Sequence, residues 1–285
     1  YKPNISRNEL INLIQDYEGL AIRSNTKVDK EILSKASKLK IIGRAGIGVD
    51  NVDVDAASLK GVIVMNTPHG NSITTAEHTI AMMLSLARKI PDANQSTKKG
   101  KWEKSKFIGT EVTGKYLGLI GCGNIGSIVA DRAKGLKMKV LVYDPFLTAE
   151  TSKEIGVEKV SFEELLKKSD IISIHTPLTN STRNIINSKN IFSIKKGSSI
   201  INCARGGLID ESSLSAALKN NHLSGAAIDV FEEEPATKNI LFDAPNVILT
   251  PHLGASTKEA QEKVAIQIAE QISDYLLKGS VINAL

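Results

Sequence analysis

The sequence is poor in the residues that staple small secreted proteins. It has two cysteines in 285 residues, Cys122 and Cys203. Neither lies in a CxxC or His-rich stretch, which argues against a disulfide framework or a zinc site and leaves the metal expectation at none. A reducing, cytoplasmic setting fits. No apolar run approaches the length needed to span a membrane, and the start has no signal-peptide pattern. Aromatic residues are scarce at 4%. Arginine is scarce too, with seven of the 36 basic residues, so the net charge of +5 is mostly lysine. Without a long basic run or interleaved aromatics, those lysines read as a solvated surface and not as a nucleic-acid reader. Each well-placed arginine therefore carries more weight.

What the chain does have is alternation. "EGLAIR", "LKIIGRA" and "VIVMNTP" read as strands, with helical patterns over 8–16, 29–38 and 54–59 and Ser6 as a helix cap. A long helix is predicted over 71–90, small and apolar on more than one face, as a helix buried or at a subunit contact is. A polar loop over 91–110 follows and holds the single tryptophan, Trp102. Strand patterns then resume as "YLGLIG", "KVLVYD", "IISIHTP", "SSIINCA", "GAAIDVF" and "NVILTPH", with helices over 124–134, 162–168 and 211–220. Strands this apolar are buried on both faces, which implies parallel sheets covered by helices, an α/β fold. A last helix over 257–277 crosses back to the first part. The domains are thus 1–68 plus 256–285, and 69–255.

The chemistry begins at Gly121-x-Gly123-x-x-Gly126, between a predicted strand and a predicted helix. The first glycine permits a tight turn, the second a close approach to a pyrophosphate, and the third close packing of helix on strand. Asp144 ends the next strand 18 residues after Gly126. A carboxylate there accepts from ribose hydroxyls and repels a 2′-phosphate, so NAD is expected over NADP.

Ligands in such sheets bind beyond the carboxyl ends of the strands. Those ends carry His175, Thr176 and Pro177, then Cys203, Ala204 and Arg205, then Asp229, then a run Glu232 to Glu234, then His252. Hydride transfer from a hydroxyl needs a nicotinamide, a base and a cation to hold the substrate. Histidine is suited to the base, a carboxylate fixes its tautomer, and arginine grips a substrate carboxylate. Arg205 is the expected clamp, with Gly206 and Gly207 leaving room for the ligand. Asp229 either bonds backbone or holds the nicotinamide carboxamide. At least two of the three glutamates are expected to be solvated. His222, after a helix, reads as a surface cation, and His69 and His78 lack a comparable set of partners.

"GLIGCGNIG", "YDP", "HTPLT", "INCARGGLIDE", "AAIDVFEEEP" and "NVILTPHLGAST" together resemble the D-isomer-specific 2-hydroxyacid dehydrogenases, from about residue 18 to the end. The resemblance implies two Rossmann-like or flavodoxin-like domains with doubly wound parallel sheets and an active-site cleft between them. It implies Arg205, Glu234 and His252 as catalytic residues. Cofactor contacts follow at Asn124, Ile125, Asp144, Thr176, Cys203 and Asp229, with His175, Pro177, Ala204 and Gly254 in the same motifs. Backbone at Gly46 and Ile47 would hold the substrate, with Asn71 nearby in sequence to the same domain. Arg23 and Arg44, each ending a strand of the smaller unit, would take its phosphate or acid end.

"AIRSNTKV", "IIGRAGIGVDNVD", "VMNTPHGNS" and "GKWEKSKFIGTEVTGK" resemble the branch that oxidises 3-phospho-D-glycerate, the first step of the phosphorylated route to serine. The implied partners are a small phosphorylated 2-hydroxy acid and a second copy of the chain, bound through 71–110, with no nucleic acid or membrane. Tyr1 and the final "VINAL" suggest a piece of a longer product, without the family's first strand and helix and without a serine-binding regulatory domain. Two other readings stay open: a glyoxylate, hydroxypyruvate or other 2-keto acid reductase, and an NAD-sensing corepressor scaffold.

Overall fold

The computed structural model describes residues 1–285. The chain divides into two compact units, Tyr1–Ser72 with Ala255–Leu285, and Ile73–Gly254. No helix is long and apolar enough to cross a membrane.

In the smaller unit, β1 (Gly19–Ile22), β2 (Ile41–Arg44) and β3 (Ile63–Asn66) lie parallel and side by side in chain order. Its short helices start on side-chain caps. Ser6 accepts from the Glu9 N–H at 3.3 Å, Asp29 from that of Ile32 at 3.2 Å, and Asp53 from that of Ala56 at 2.9 Å. Each such cap is worth about 1 kcal/mol. One sheet face sends Ile22, Ile42 and Val64 into a core with Leu10, Ile14, Ile32 and Leu33. The other face packs Ile41 and Met65 on Val264 and Ile268 of the helix Lys258–Lys278. Gly43 lets that helix sit close, because a Cβ there would lie 2.5 Å from Ile272 Cδ1.

The larger unit holds seven parallel strands. They are β4 (Tyr116–Ile120), β5 (Lys139–Tyr143), β6 (Glu158–Lys159), β7 (Ile171–Ile174), β8 (Ser199–Asn202), β9 (Gly225–Ile228) and β10 (Val247–Leu249). Their order is β10-β9-β8-β7-β4-β5-β6. The chain steps one way from β4 to β6, returns to the far side of β4, and steps outward to β10. Connections therefore diverge between β4 and β7, a topological switch point. Leu117, Leu119, Val140, Val142, Ile201 and Ala227 fill one face, and Ile120, Leu141, Ile172, Ile174, Ile200 and Ile228 the other.

The register aligns the strand ends. Ile120 pairs with Tyr143 and Ile174, Ile174 with Asn202, Asn202 with Ile228, and Ile228 with Leu249. The next residues, Gly121, Asp144, His175, Cys203, Asp229 and Thr250, form one row at the carboxyl edge.

The region predicted as one helix over 71–90 and a polar loop over 91–110 is built differently. The helix Ser72–Ala87 ends early, Lys89 takes a left-handed φ of 52°, and a second helix runs Ile90–Lys98. Pro91 lies in the first turn, where no backbone donor is required, so it starts a helix instead of excluding one. The helix Ala149–Ile155 and the two-residue β6 are also new, and both β6 residues are exposed and charged. His222 is less open than a surface position. It is half-buried, its Nε2 lies 2.9 Å from the Ile194 carbonyl oxygen, and its ring stands 5.2 Å from that of Phe192.

Candidate active site

The glycine turn is formed as its spacing requires. Gly121 has φ 94°, and a Cβ there would lie 2.6 Å from the His175 carbonyl oxygen. A Cβ on Gly126 would lie 2.5 Å from the Gly121 oxygen, while one on Gly123 would meet nothing within 4 Å. Gly123 precedes the helix Asn124–Gly135 and offers no side-chain cap, so the helix start with Asn124 and Ile125 keeps its N–H groups for a ligand. An open cradle and an uncapped helix start fit a dinucleotide pyrophosphate. Asp144 accepts from Cys122 N–H and from Phe146 N–H, both at 2.8 Å. It thereby ties the glycine turn to the end of β5 and retains lone pairs for ribose hydroxyls.

His175 does not present its ring as a free ligand group. Its Nε2 lies 2.9 Å from the buried Ser173 Oγ, and desolvation lowers its pKa to about 4, so the ring is neutral. Its contribution to the cradle is its backbone beneath Gly121. Thr176 is half-buried and Pro177 exposed, the latter accepting from Thr182 Oγ1 at 2.6 Å. Burial pushes the Cys203 thiol up to about 12, with the nearby Asp229 charge adding to it. Burial likewise raises the Cys122 thiol, to about 11.

Glu234 and His252 meet directly, with Glu234 Oε2 2.6 Å from His252 Nδ1. Glu234 Oε1 accepts from Phe231 N–H at 3.0 Å. Burial pushes the Glu234 carboxyl up, but the bonds from His252 and Phe231 outweigh it and hold the group below its usual range. His252 has a left-handed φ of 54°. Its N–H donates to the Asp229 carbonyl at 2.8 Å, and the next two N–H groups donate to the Asp229 carboxylate, Leu253 at 2.7 Å and Gly254 at 2.8 Å.

Asp229 is fully buried and lies just past β9. It also accepts from Thr250 Oγ1 at 2.6 Å and lies 3.3 Å from His78 Nε2. Burial raises its pKa, and the bonds from His78, Thr250 and Leu253 more than reverse that. Asp229 thus bonds the backbone, one of the two roles open for it, and Oδ2 keeps one lone pair. His78, Cys203 and Asp229 offer ligand atoms within 4.8 Å of one another. Thr250, His78, Leu253 and Gly254 already reach the Asp229 carboxylate, and through the last two it mounts the His252 loop. Gly254 permits the approach, since a Cβ would lie 3.3 Å from Asp229 Oδ2.

Arg205 is half-buried, with Nη1 donating to the Ala204 oxygen at 2.7 Å. Gly206, expected to leave room for a ligand, instead admits backbone. A Cβ on Gly206 would lie 1.7 Å from the Phe231 oxygen. Gly207 takes φ 76° in the turn beside Arg183. Glu232 and Glu233 are exposed.

In the smaller unit, Arg44 ends β2 and Arg23 follows β1, so both stand at the carboxyl edge of that sheet. Arg44 Nη1 donates to the Ala45 oxygen at 3.0 Å, and Arg23 Nη1 lies 3.5 Å from Gln261 Oε1. Gly46, with φ 137°, lies against the Arg44 guanidinium and donates to Thr67 Oγ1 at 2.7 Å. The Ile47 oxygen accepts from Asn66 Nδ2 at 2.7 Å, and half-buried Asn71 precedes the helix Ser72–Ala87.

Sequence reasoning missed Thr250, His78 and Asn202. Asn202 braces the Arg205 turn, donating to the Arg205 oxygen at 2.9 Å and accepting from Ala204 N–H at 3.1 Å. Thr75, His78 and Thr79 stand at helical spacing in the helix Ser72–Ala87, a signal of one polar stripe facing a polar partner.

Residues 80–254 match the family described as D-isomer specific 2-hydroxyacid dehydrogenase, NAD binding domain. The D-3-phosphoglycerate dehydrogenase of Bacillus subtilis (strain 168) is 52% identical over 272 residues, 95% of this chain and 52% of that protein. This chain thus spans about half the length of the curated relatives it matches. Among solved structures, the TT0316 protein from Thermus thermophilus matches at 32% identity with a TM-score of 0.90, covering 100% of this chain and 90% of that one. A glyoxylate reductase from Paecilomyes thermophila matches at 30% identity with a TM-score of 0.90, covering 98% and 88%.

Proposed function

The chain belongs to the D-isomer specific 2-hydroxyacid dehydrogenase family, and from that premise we propose that it oxidises 3-phospho-D-glycerate to 3-phosphohydroxypyruvate. Gly121 to Gly126 and Asp144, with Thr176, Pro177, Ala204 and Gly254 around them, would hold NAD, which would supply the acceptor for the hydride from C2. The observation that carries the reading is the 2.6 Å contact between Glu234 and His252 Nδ1. Glu234 accepts a hydrogen bond from Nδ1–H, which fixes the tautomer and leaves the Nε2 lone pair to take the proton of the substrate hydroxyl. The Glu234 charge then stabilises the imidazolium. Arg205 grips the substrate carboxylate and polarises the oxygen that becomes the carbonyl. Arg23 and Arg44 hold the phosphate, with Asn71 and the backbone of Gly46 and Ile47 beside the acid end. Asp144 sets the preference for NAD over NADP.

The working form is a homodimer joined through 71–110, a reading supported by exposed Ile90, Trp102 and Ile108 on that stretch. Two free, buried cysteines support a cytoplasmic setting.

The test is kcat/KM for NADH oxidation with 3-phosphohydroxypyruvate beside hydroxypyruvate and glyoxylate. The expected preference for the phosphorylated substrate is about 100-fold, or about 3 kcal/mol. Equal or reversed rates would mean that Arg23 and Arg44 hold no phosphate and that the protein is a general 2-keto acid reductase. The likeness to a glyoxylate reductase fold makes that the second reading.

A further inference from the structure

Glu211 begins the helix Glu211–Lys219 and is half-buried. Its helix is already capped by Asp210, which accepts from Ser213 N–H at 2.6 Å. The Glu211 carboxylate reaches elsewhere. Oε1 accepts from Glu232 N–H at 2.9 Å, and Oε2 accepts from Asn239 Nδ2 at 2.6 Å. Those two donors bracket Glu234 in the chain. One carboxylate therefore holds both ends of the turn that carries the partner of His252.

A second observation brings in Arg205. The segment from Arg205 to Glu211 is short, and its Gly206 packs so tightly on the turn that a Cβ would lie 2.2 Å from the Phe231 carbonyl carbon and 2.8 Å from the Glu232 nitrogen. Asn239 is fixed in turn, since its Oδ1 accepts from Leu241 N–H at 2.9 Å. The arginine segment and the glutamate turn are thus locked together twice, by backbone contact at Gly206 and by the side chain of Glu211.

We infer that Glu211 is a positioning residue for the reaction: it sets the Glu234 turn in register with the Arg205 segment. It acts through Glu234 and not on the substrate. The inference rests on the roles given above to Glu234 and His252 but is independent of which 2-hydroxy acid is bound.

The experiment is a double-mutant cycle on the full chain. Glu211→Ala and Glu211→Gln are made alone and with Glu234→Gln. Turnover is measured with the best of the three 2-keto acids, and the Glu234 carboxyl is titrated by carbon NMR without substrate. Displacing a positioned group by about an ångström costs on the order of 10- to 100-fold, so Glu211→Ala is expected to lower kcat by at least about tenfold. Glu211→Gln keeps one acceptor oxygen and recovers part of the loss. With Glu234→Gln already present, Glu211→Ala should change kcat by less than about twofold, because the group it positions is gone. The Glu234 carboxyl should titrate higher in Glu211→Ala, toward the ordinary value of 4.5.

An equal loss in both backgrounds, or a lower Tm with kcat and the Glu234 titration unchanged, would reduce Glu211 to a structural residue and overturn the inference. If Glu211→Ala does not fold, Asn239→Ser carries the same cycle, since it removes the amide donor and keeps an oxygen for Leu241. A wild-type protein inactive on every 2-keto acid would refute the proposed function, while the substrate-free titration would still decide the role of Glu211.

Discussion

The two parallel sheets differ in one topological respect. In the three-stranded sheet each strand is laid beside its predecessor, and the order never turns back. In the seven-stranded sheet the order reverses between β4 and β7. At the reversal the connections leave in opposite directions, and the backbones of Gly121 and His175 come so close that only glycine fits. Among β1, β2 and β3 there is no such reversal. What stands at the carboxyl edge of that sheet is charge, from Arg23 and Arg44. In the proposed reaction the reversed edge is where the cofactor and the chemistry are placed, and the unreversed edge offers the handles for the charged end of the substrate.

The sharpest way to break this contrast is His252→Ala. Loss of a general base costs about 10³-fold, so kcat should fall by that factor for phosphorylated and unphosphorylated substrates alike, with NAD affinity by fluorescence titration unchanged. Next comes Gly206→Ala. A Cβ 1.7 Å from the Phe231 oxygen forces backbone apart, and urea denaturation should show a loss of about 3 kcal/mol. Arg23→Ala should do less and do it selectively. It should lower kcat/KM for the phosphorylated substrate about tenfold, the size of a lost charged hydrogen bond of about 1.4 kcal/mol, and leave glyoxylate untouched. A general loss across substrates would erase the distinction between the two edges.

The smallest effect is on pH. The carboxyls of Asp229 and Glu234 are held below their ordinary values of 3.8 and 4.5. Their contribution to stability is therefore full above those values and is lost as pH falls through the lower folded ones. Denaturation followed from about pH 5 to about pH 2 should show a shallower loss for Glu234→Gln than for wild type.

Much of this was legible in the sequence. The strands of the large sheet are apolar on both faces, and the residue after each one is the residue that matters. Gly121, Asp144, Cys203 and Asp229 could be named because the register that aligns them follows from a parallel sheet. What was not legible depends on partners distant in the chain. Nothing near Glu211 announces Glu232 and Asn239, and nothing near His78 announces Asp229. A polar side chain reads alike whether it meets water or a remote donor. Pro91 misled for another reason, since the same residue ends a helix in its interior and begins one at its first turn.

The left-handed backbone of His252 separates two functions that the base of the proposed reaction would otherwise mix. The residue is mounted at its root by its own N–H on the Asp229 carbonyl and, one and two residues on, by those of Leu253 and Gly254 on the Asp229 carboxylate, and it is tethered at its tip by Glu234 alone. Histidine and asparagine are among the few side chains that tolerate that backbone. The ring can thus be removed, as in His252→Asn, without dismantling its mount, which makes this position a socket where the side chain is tested on an unchanged frame.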